Sequence, residues 1–193
     1  VMKTQEWKTF ASTSSIASNW NTVGFGDSSW TPATMGSAPA MTGTQYFRKT
    51  FTGIDNMAAY EYRFNYRYGI IAYVNGNEIF RDHMEEGTVT PATTSSGAYN
   101  NYEYHGVIRP APEVTVGNNV LAVELHYPTA GENAVEFDAF VAALASSTPV
   151  TDTDKCFVYP YATTVTGGGT NPARAADWAK ANYMTVSRTK LPV

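Results

Sequence analysis

Cysteine is almost absent. Cys156 is the only one in 193 residues, so no disulfide can close within the chain and no thiolate metal site can be assembled. It reads as a buried or unreactive thiol, the rival being a pair with a cysteine elsewhere in a longer protein. Charge is also scarce, at 16% of residues, with 13 Lys and Arg against 17 Asp and Glu and no basic cluster. The electrostatic footprint of a nucleic-acid or anionic-membrane binder is therefore missing. There is no apolar run long enough to span a bilayer, no signal peptide, no N-x-[ST] sequon and no convincing long amphipathic helix.

Catalytic signatures are missing too. His83, His105 and His126 are far apart in sequence and read as surface or strand-end residues; there is no His-Glu-x-x-His, and Cys156 lacks a protease signature. The run Gly167-Gly168-Gly169-Thr170 has no Lys to hold a phosphate and reads as a turn. Glu85-Glu86, Glu132 with Glu136, and Asp152 with Asp154 are carboxylate pairs, but nothing in their spacing selects the two-sided geometry of glycoside hydrolysis. An enzyme is not expected.

What the chain does have is alternation. Tyr60, Tyr62, Phe64, Tyr66 and Tyr68 occupy every second position, with Glu61, Arg63, Asn65 and Arg67 between them. Side chains on a strand point to opposite faces in turn, so this segment reads as a half-buried strand with rings inward and polar groups outward. Next come Ile70 to Val74, Asn75-Gly76, and Glu78-Ile79-Phe80, an Asn-Gly hairpin between apolar runs. Tyr46 to Phe51, Tyr102 to Ile108 and Ala134 to Leu144 read as further strands, with Phe137 and Phe140 directed to the core and Arg109-Pro110 ending the second. Val120 to His126 is nearly continuous in apolar residues, as expected of a strand inside a sheet.

From Val1 to Thr44 the chain is rich in Ser, Thr, Gly and Pro, with Trp7, Trp20, Phe25 and Trp30 spaced through it. This reads as edge strands and loops pinned to a sandwich by large rings. Many short strands with frequent turns predict an all-β antiparallel sandwich over residues 1–146. Residues 147–154 read as a linker. Residues 155–193, with a short helical stretch near Ala173 to Lys180, read as an incomplete start of a second β domain or an interface segment. Too few residues follow to close a second core. Val1 in place of an initiator Met, and a new strand beginning at Leu191-Pro192-Val193, are expected of part of a larger protein.

The serial order of Phe25-Gly26-Asp27-Ser28-Ser29-Trp30, Tyr46 to Phe51, Gly69 to Gly76, Asn118 to His126 and Glu136-Phe137-Asp138-Ala139 resembles galactose-binding-domain-like jelly rolls. In particular it resembles modules appended to secreted bacterial phosphoesterases, lamin-tail-type proteins and surface proteins. It is similar, more distantly, to the sugar-binding sandwich at the front of family 2 glycoside hydrolases. The resemblance covers about residues 7–145. Where the appended modules carry two acidic residues before the glycine, this chain has Arg67-Tyr68, so contacts made by that acidic pair do not carry over. Asn171 to Trp178 looks like the opening of another galactose-binding-like or discoidin-like domain.

The resemblance implies an extracellular or cell-surface module that binds carbohydrate without catalysis. Pyranose faces stack on aromatic rings while neighbouring polar groups bind hydroxyls, which makes Trp20, Tyr99 and Tyr102, with Arg67, the candidate ligand residues; Trp30 reads as a core plug. No cofactor is expected beyond a structural calcium, for which the resemblance nominates Asp27, Glu136 and Asp138 as oxygen ligands. The alternative is a structural or adhesive module packed against neighbouring domains or subunits. Its partner is then protein rather than glycan.

Overall fold

A computed structural model of the chain describes residues 6–12, 14–34, 43–101, 103–128, 137–146 and 186–189. Ten strands among the described residues form two antiparallel sheets. In chain order they are β1 (Glu6–Ser12), β2 (Thr31–Thr34), β3 (Thr44–Gly53), β4 (Met57–Tyr66), β5 (Gly69–Val74), β6 (Asn77–Asp82), β7 (Glu103–Pro110), β8 (Gly117–His126), β9 (Asp138–Ser146) and β10 (Val186–Thr189). Six strands form one sheet in the order β2-β1-β3-β8-β5-β6, and four form the other in the order β10-β9-β4-β7. The fold is an all-β sandwich.

Period-two alternation builds the core between the sheets. On β4 the rings of Tyr60, Tyr62, Phe64 and Tyr66 are buried to 1% exposure or less. They meet Phe47, Ile70, Ala72, Leu121 and Val123 of the six-stranded sheet in one cluster. Phe64 stacks on Phe80 at 5.3 Å. Phe137, at the entry to β9, packs against Trp7 and Phe47. Phe140 was expected beside it in the core but faces outward next to Tyr104, 6.3 Å away. Phe140 is three positions beyond Phe137, an odd offset, so the two rings fall on opposite faces.

The intervening polar residues of β4 also depart from expectation. Glu61 lies on the outer face but is only 3% exposed, and it accepts a bond from Arg63 Nε at 2.9 Å. Ala59 and Leu144 on the same face are equally buried, so this face is not simply open to water. Arg67, expected to point into solvent, is half-buried: its Nε donates to the Tyr99 carbonyl at 3.1 Å, and its guanidinium lies 5.2 Å from the centre of the Tyr68 ring.

The hairpin forms where expected. Asn75 (φ 52°) and Gly76 (φ 91°) both take left-handed conformations, as a two-residue turn with positive φ at both centres requires. β8 is paired on both edges, to β3 and β5, and its nearly continuous apolar run has a direct cause. Leu121, Val123 and Leu125 face the core, while Ala122, Glu124 and His126 face outward and are still buried, because loops cover that side of the sheet. The linker at 147–154, the helical stretch near 173–180, Cys156 and most of the expected second domain lie outside the described residues. Of the segment 155–193, β10 pairs antiparallel along β9, with Val186 opposite Ser146.

Candidate functional site

The outer face of the six-stranded sheet carries a cleft. Its floor is made by Tyr46 of β3, Tyr73 of β5 and Glu124 of β8; Trp20 and Asn21 form one wall, and residues 87–91 with Arg81 form the other. The cavity volume is about 460 Å³, within the roughly 300–1,000 Å³ typical of small-molecule sites.

The loop that carries Trp20 is held by one buried cation. Arg48, 3% exposed, donates Nε to Asp27 Oδ2 at 2.9 Å. Its other nitrogens donate to the backbone carbonyls of Trp20, Thr22 (3.1 Å) and Phe25 (3.3 Å). A buried charge is tolerated only when paired and fully hydrogen-bonded, and four oxygens achieve that here. Trp20 then stacks on Trp30 at 6.3 Å and meets the edges of Tyr46 and Tyr73 at 4.8 and 5.6 Å.

The floor is a chain of polar contacts in an apolar setting. Tyr46 and Glu124 are direct cross-strand partners. Tyr73 Oη donates to Glu124 Oε1 at 2.6 Å, and Glu124 Oε2 lies 3.4 Å from His126 Nε2. His126 Nδ1 is 2.8 Å from the Thr93 carbonyl oxygen, which can only accept, so Nδ1 carries a proton. Thr44 Oγ1 donates to the Pro91 carbonyl at 2.9 Å and lies 3.0 Å from the same Nδ1. These contacts fasten residues 91–93 over the sheet. Burial pushes both tyrosine hydroxyls well above their ordinary pKa, and the Glu124 charge adds to the effect. On the far wall Arg81 binds both carboxylate oxygens of Glu78 at 2.8 and 2.7 Å, and this pairing raises its pKa.

A second polar cluster joins the two sheets at one end. Tyr66 and Tyr99 donate to Asp82 Oδ2 at 2.5 and 2.7 Å. The Tyr99 ring lies 4.4 Å from that of His83 and stacks at 4.1 Å on that of His105. Burial lowers the His105 pKa, against the opposing pull of Asp82 and Glu103. His126 stands at the end of β8 as expected but is fully buried, and the other two histidines converge on one tyrosine.

The four candidate ligand residues separate. Trp20 lines the cleft, Tyr99 and Arg67 belong to the end cluster, and Tyr102 lies outside the described residues. Nor does the structure join the calcium candidates. Asp27 pairs with Arg48 over the six-stranded sheet; Asp138, on the outer face of the other sheet, accepts the Tyr104 hydroxyl and the Ala139 amide. Glu136 is outside the described residues. Among those residues no group of three or more His, Cys, Asp or Glu is arranged to hold a metal.

Similarity to known proteins is confined to shape. A β-glucuronidase from Bacteroides uniformis matches at a TM-score of 0.50 and 14% identity, over 76% of this chain and 18% of its own. A second structure, Bacteroides uniformis β-glucuronidase 2 covalently bound to cyclophellitol-6-carboxylate aziridine, gives the same values. A glycosyl hydrolase family 2 member from Bacteroides cellulosilyticus matches over 78% of this chain and 22% of its own, at 14% identity and a TM-score of 0.46. The likeness is one of fold. The chain spans about a fifth of the length of these proteins. No family model matches it, and no curated protein sequence does. Among the described residues no helix is long and apolar enough to cross a membrane.

Tyr46, Tyr73, Arg81 and Glu124 were not anticipated as site residues. One signal for them was in the sequence: Glu124 is the lone acid within the apolar run from Val120 to Leu125. An acid there needs either solvent or a partner, and only the strand register identifies Tyr73 and His126 as its neighbours.

Proposed function

We propose that the protein is a non-catalytic, carbohydrate-binding module of a larger surface or secreted protein, and that the cleft on the six-stranded sheet is its ligand site. The observation that carries this reading is the juxtaposition of Trp20, Tyr46 and Tyr73 with Glu124, Asn21 and Arg81 around one cavity. Aromatic groups can cover the C–H faces of a pyranose while planar polar groups orient its hydroxyls. The fold shared with parts of glycosidases is consistent with the reading, as fold analogy only. Arg48 supplies the positive charge at Asp27.

A glycan array probed with the intact chain tests it. Binding above background, competed by free saccharide and lost in Asn21→Trp, which adds bulk to one wall of the cleft, is the expected result. A folded chain that binds nothing on the array rejects it. A structural role, packing against neighbouring domains or subunits, is the alternative. The burial of Trp20 and Tyr46, 6% and 1% exposed, favours it, because rings already packed on one another offer little open face. No glycan binding, together with a large buried contact in the full-length protein, is its signature.

A further inference from the structure

We infer that the cleft selects an uncharged pyranoside over a uronic acid, a refinement that rests on the glycan reading above. Two formally charged side chains line it, Arg81 and Glu124, and both are already engaged. Recognition of a ligand carboxylate by arginine relies on the two parallel N–H groups of one guanidinium edge. In Arg81 the Nε/Nη2 edge is closed by Glu78, whose carboxylate also neutralises the charge, and Nη1 donates to the Glu85 carbonyl at 2.9 Å, so three of the five N–H groups are used. A sugar carboxylate arriving at this wall meets a cation that is capped.

It also meets an anion. The Glu124 side chain is only 5% exposed, and a buried charge acts over a longer range than one in water because less solvent screens it. A second carboxylate brought into the cleft loses its hydration beside a like charge, with no compensating free cation among the described residues that line the cavity. A neutral sugar avoids this cost. Its hydroxyls both donate and accept, so they match the remaining lone pairs of Glu124 and the Asn21 amide, while the rings of Trp20 and Tyr73 need only apolar C–H surface.

The experiment is an NMR titration of the intact chain with methyl β-D-galactopyranoside and methyl β-D-glucopyranoside, compared with methyl β-D-glucuronide, at neutral pH and low salt. At least one neutral ligand is expected to bind about tenfold more tightly than the acid, or better. Glu78→Ala removes the cap on Arg81 without altering a residue of the cavity wall. It is expected to tighten the glucuronide by about fivefold or more and to leave the neutral ligand unchanged. Equal or tighter binding of the glucuronide by the unaltered chain overturns the selectivity and leaves the glycan reading standing. An acid affinity that does not respond to Glu78→Ala overturns the role assigned to the cap. Failure of every saccharide, neutral and acidic, overturns the glycan reading and this inference with it.

Discussion

Arg48 shows how much one residue can organise. Its guanidinium gathers Asp27 and three backbone carbonyls from a stretch with no strand or helix of its own, and so positions Trp20 at the cleft. Arg48→Met keeps the aliphatic bulk but leaves those oxygens unpaired at a buried site, and is expected to cost about 3–5 kcal/mol in denaturant unfolding. A loss below about 1 kcal/mol would show that the loop is held by its rings instead. With Asp27 already paired, melting temperature is expected to be the same with calcium and with chelator. Phe64 is the apolar counterpart: it is fully buried between the sheets, and Phe64→Ala is expected to cost about 3–5 kcal/mol.

At the scale of elements, two glycines carry steric demands that sequence pattern alone separates poorly. Gly76 needs positive φ in the β5–β6 turn, and a Cβ there would stand 3.2 Å from Thr22 Cγ2. Gly76→Val should therefore lower the melting temperature well below that of Asn77→Ser, and equal values would place the turn elsewhere. Gly106, on β7, has an ordinary backbone but no space, since a Cβ would fall 1.9 Å from the Tyr62 carbonyl oxygen. Gly106→Ala is expected to push β7 away from β4. Native-state hydrogen exchange checks this: faster exchange confined to the β4–β7 amides is the expected pattern, and unchanged protection there contradicts it.

For the molecule as a whole, titration of tyrosine and histidine side chains sets the pH window of stability. Burial and the bond to Asp138 push the Tyr104 hydroxyl from 10.0 up to about 12, and Tyr46, Tyr62 and Tyr73 are pushed up chiefly by burial. Each binds its proton more tightly when folded, so this stability is fully present below pH 10 and is lost as pH rises through the folded values. His105 has the opposite sign: its pKa falls below 6.5 on folding, so its contribution is present above pH 6.5 and is lost as pH falls. Melting temperature against pH should therefore show a plateau between about 6.5 and 10 with a decline on the alkaline side. Stability that keeps rising beyond that alkaline limit would contradict the burial of Tyr46 and Tyr62 and the bond from Tyr104 to Asp138.

The sequence by itself determined the all-β class, the inward rings of β4, the Asn75-Gly76 turn and the central place of β8. Each follows from local rules: side chains alternate along a strand, positive φ favours Asn-Gly, and a nearly continuous apolar run is buried on both sides. Only the tertiary structure decided what meets across the chain. Glu124 and His126 occupy a strand that reads as core, and their roles depend on Tyr73, Thr44 and Thr93 arriving from other elements. Asp27 read as a metal ligand because an exposed loop acid and a paired one look alike in sequence; its partner Arg48 is 21 residues away. His83 and His105 stand on separate segments and meet on Tyr99 because both sheets end there. Local pattern dictates which face a residue takes. Which residues share a face across strands depends on sheet order and register, set by the collective burial of the core, and the cleft is a product of that register.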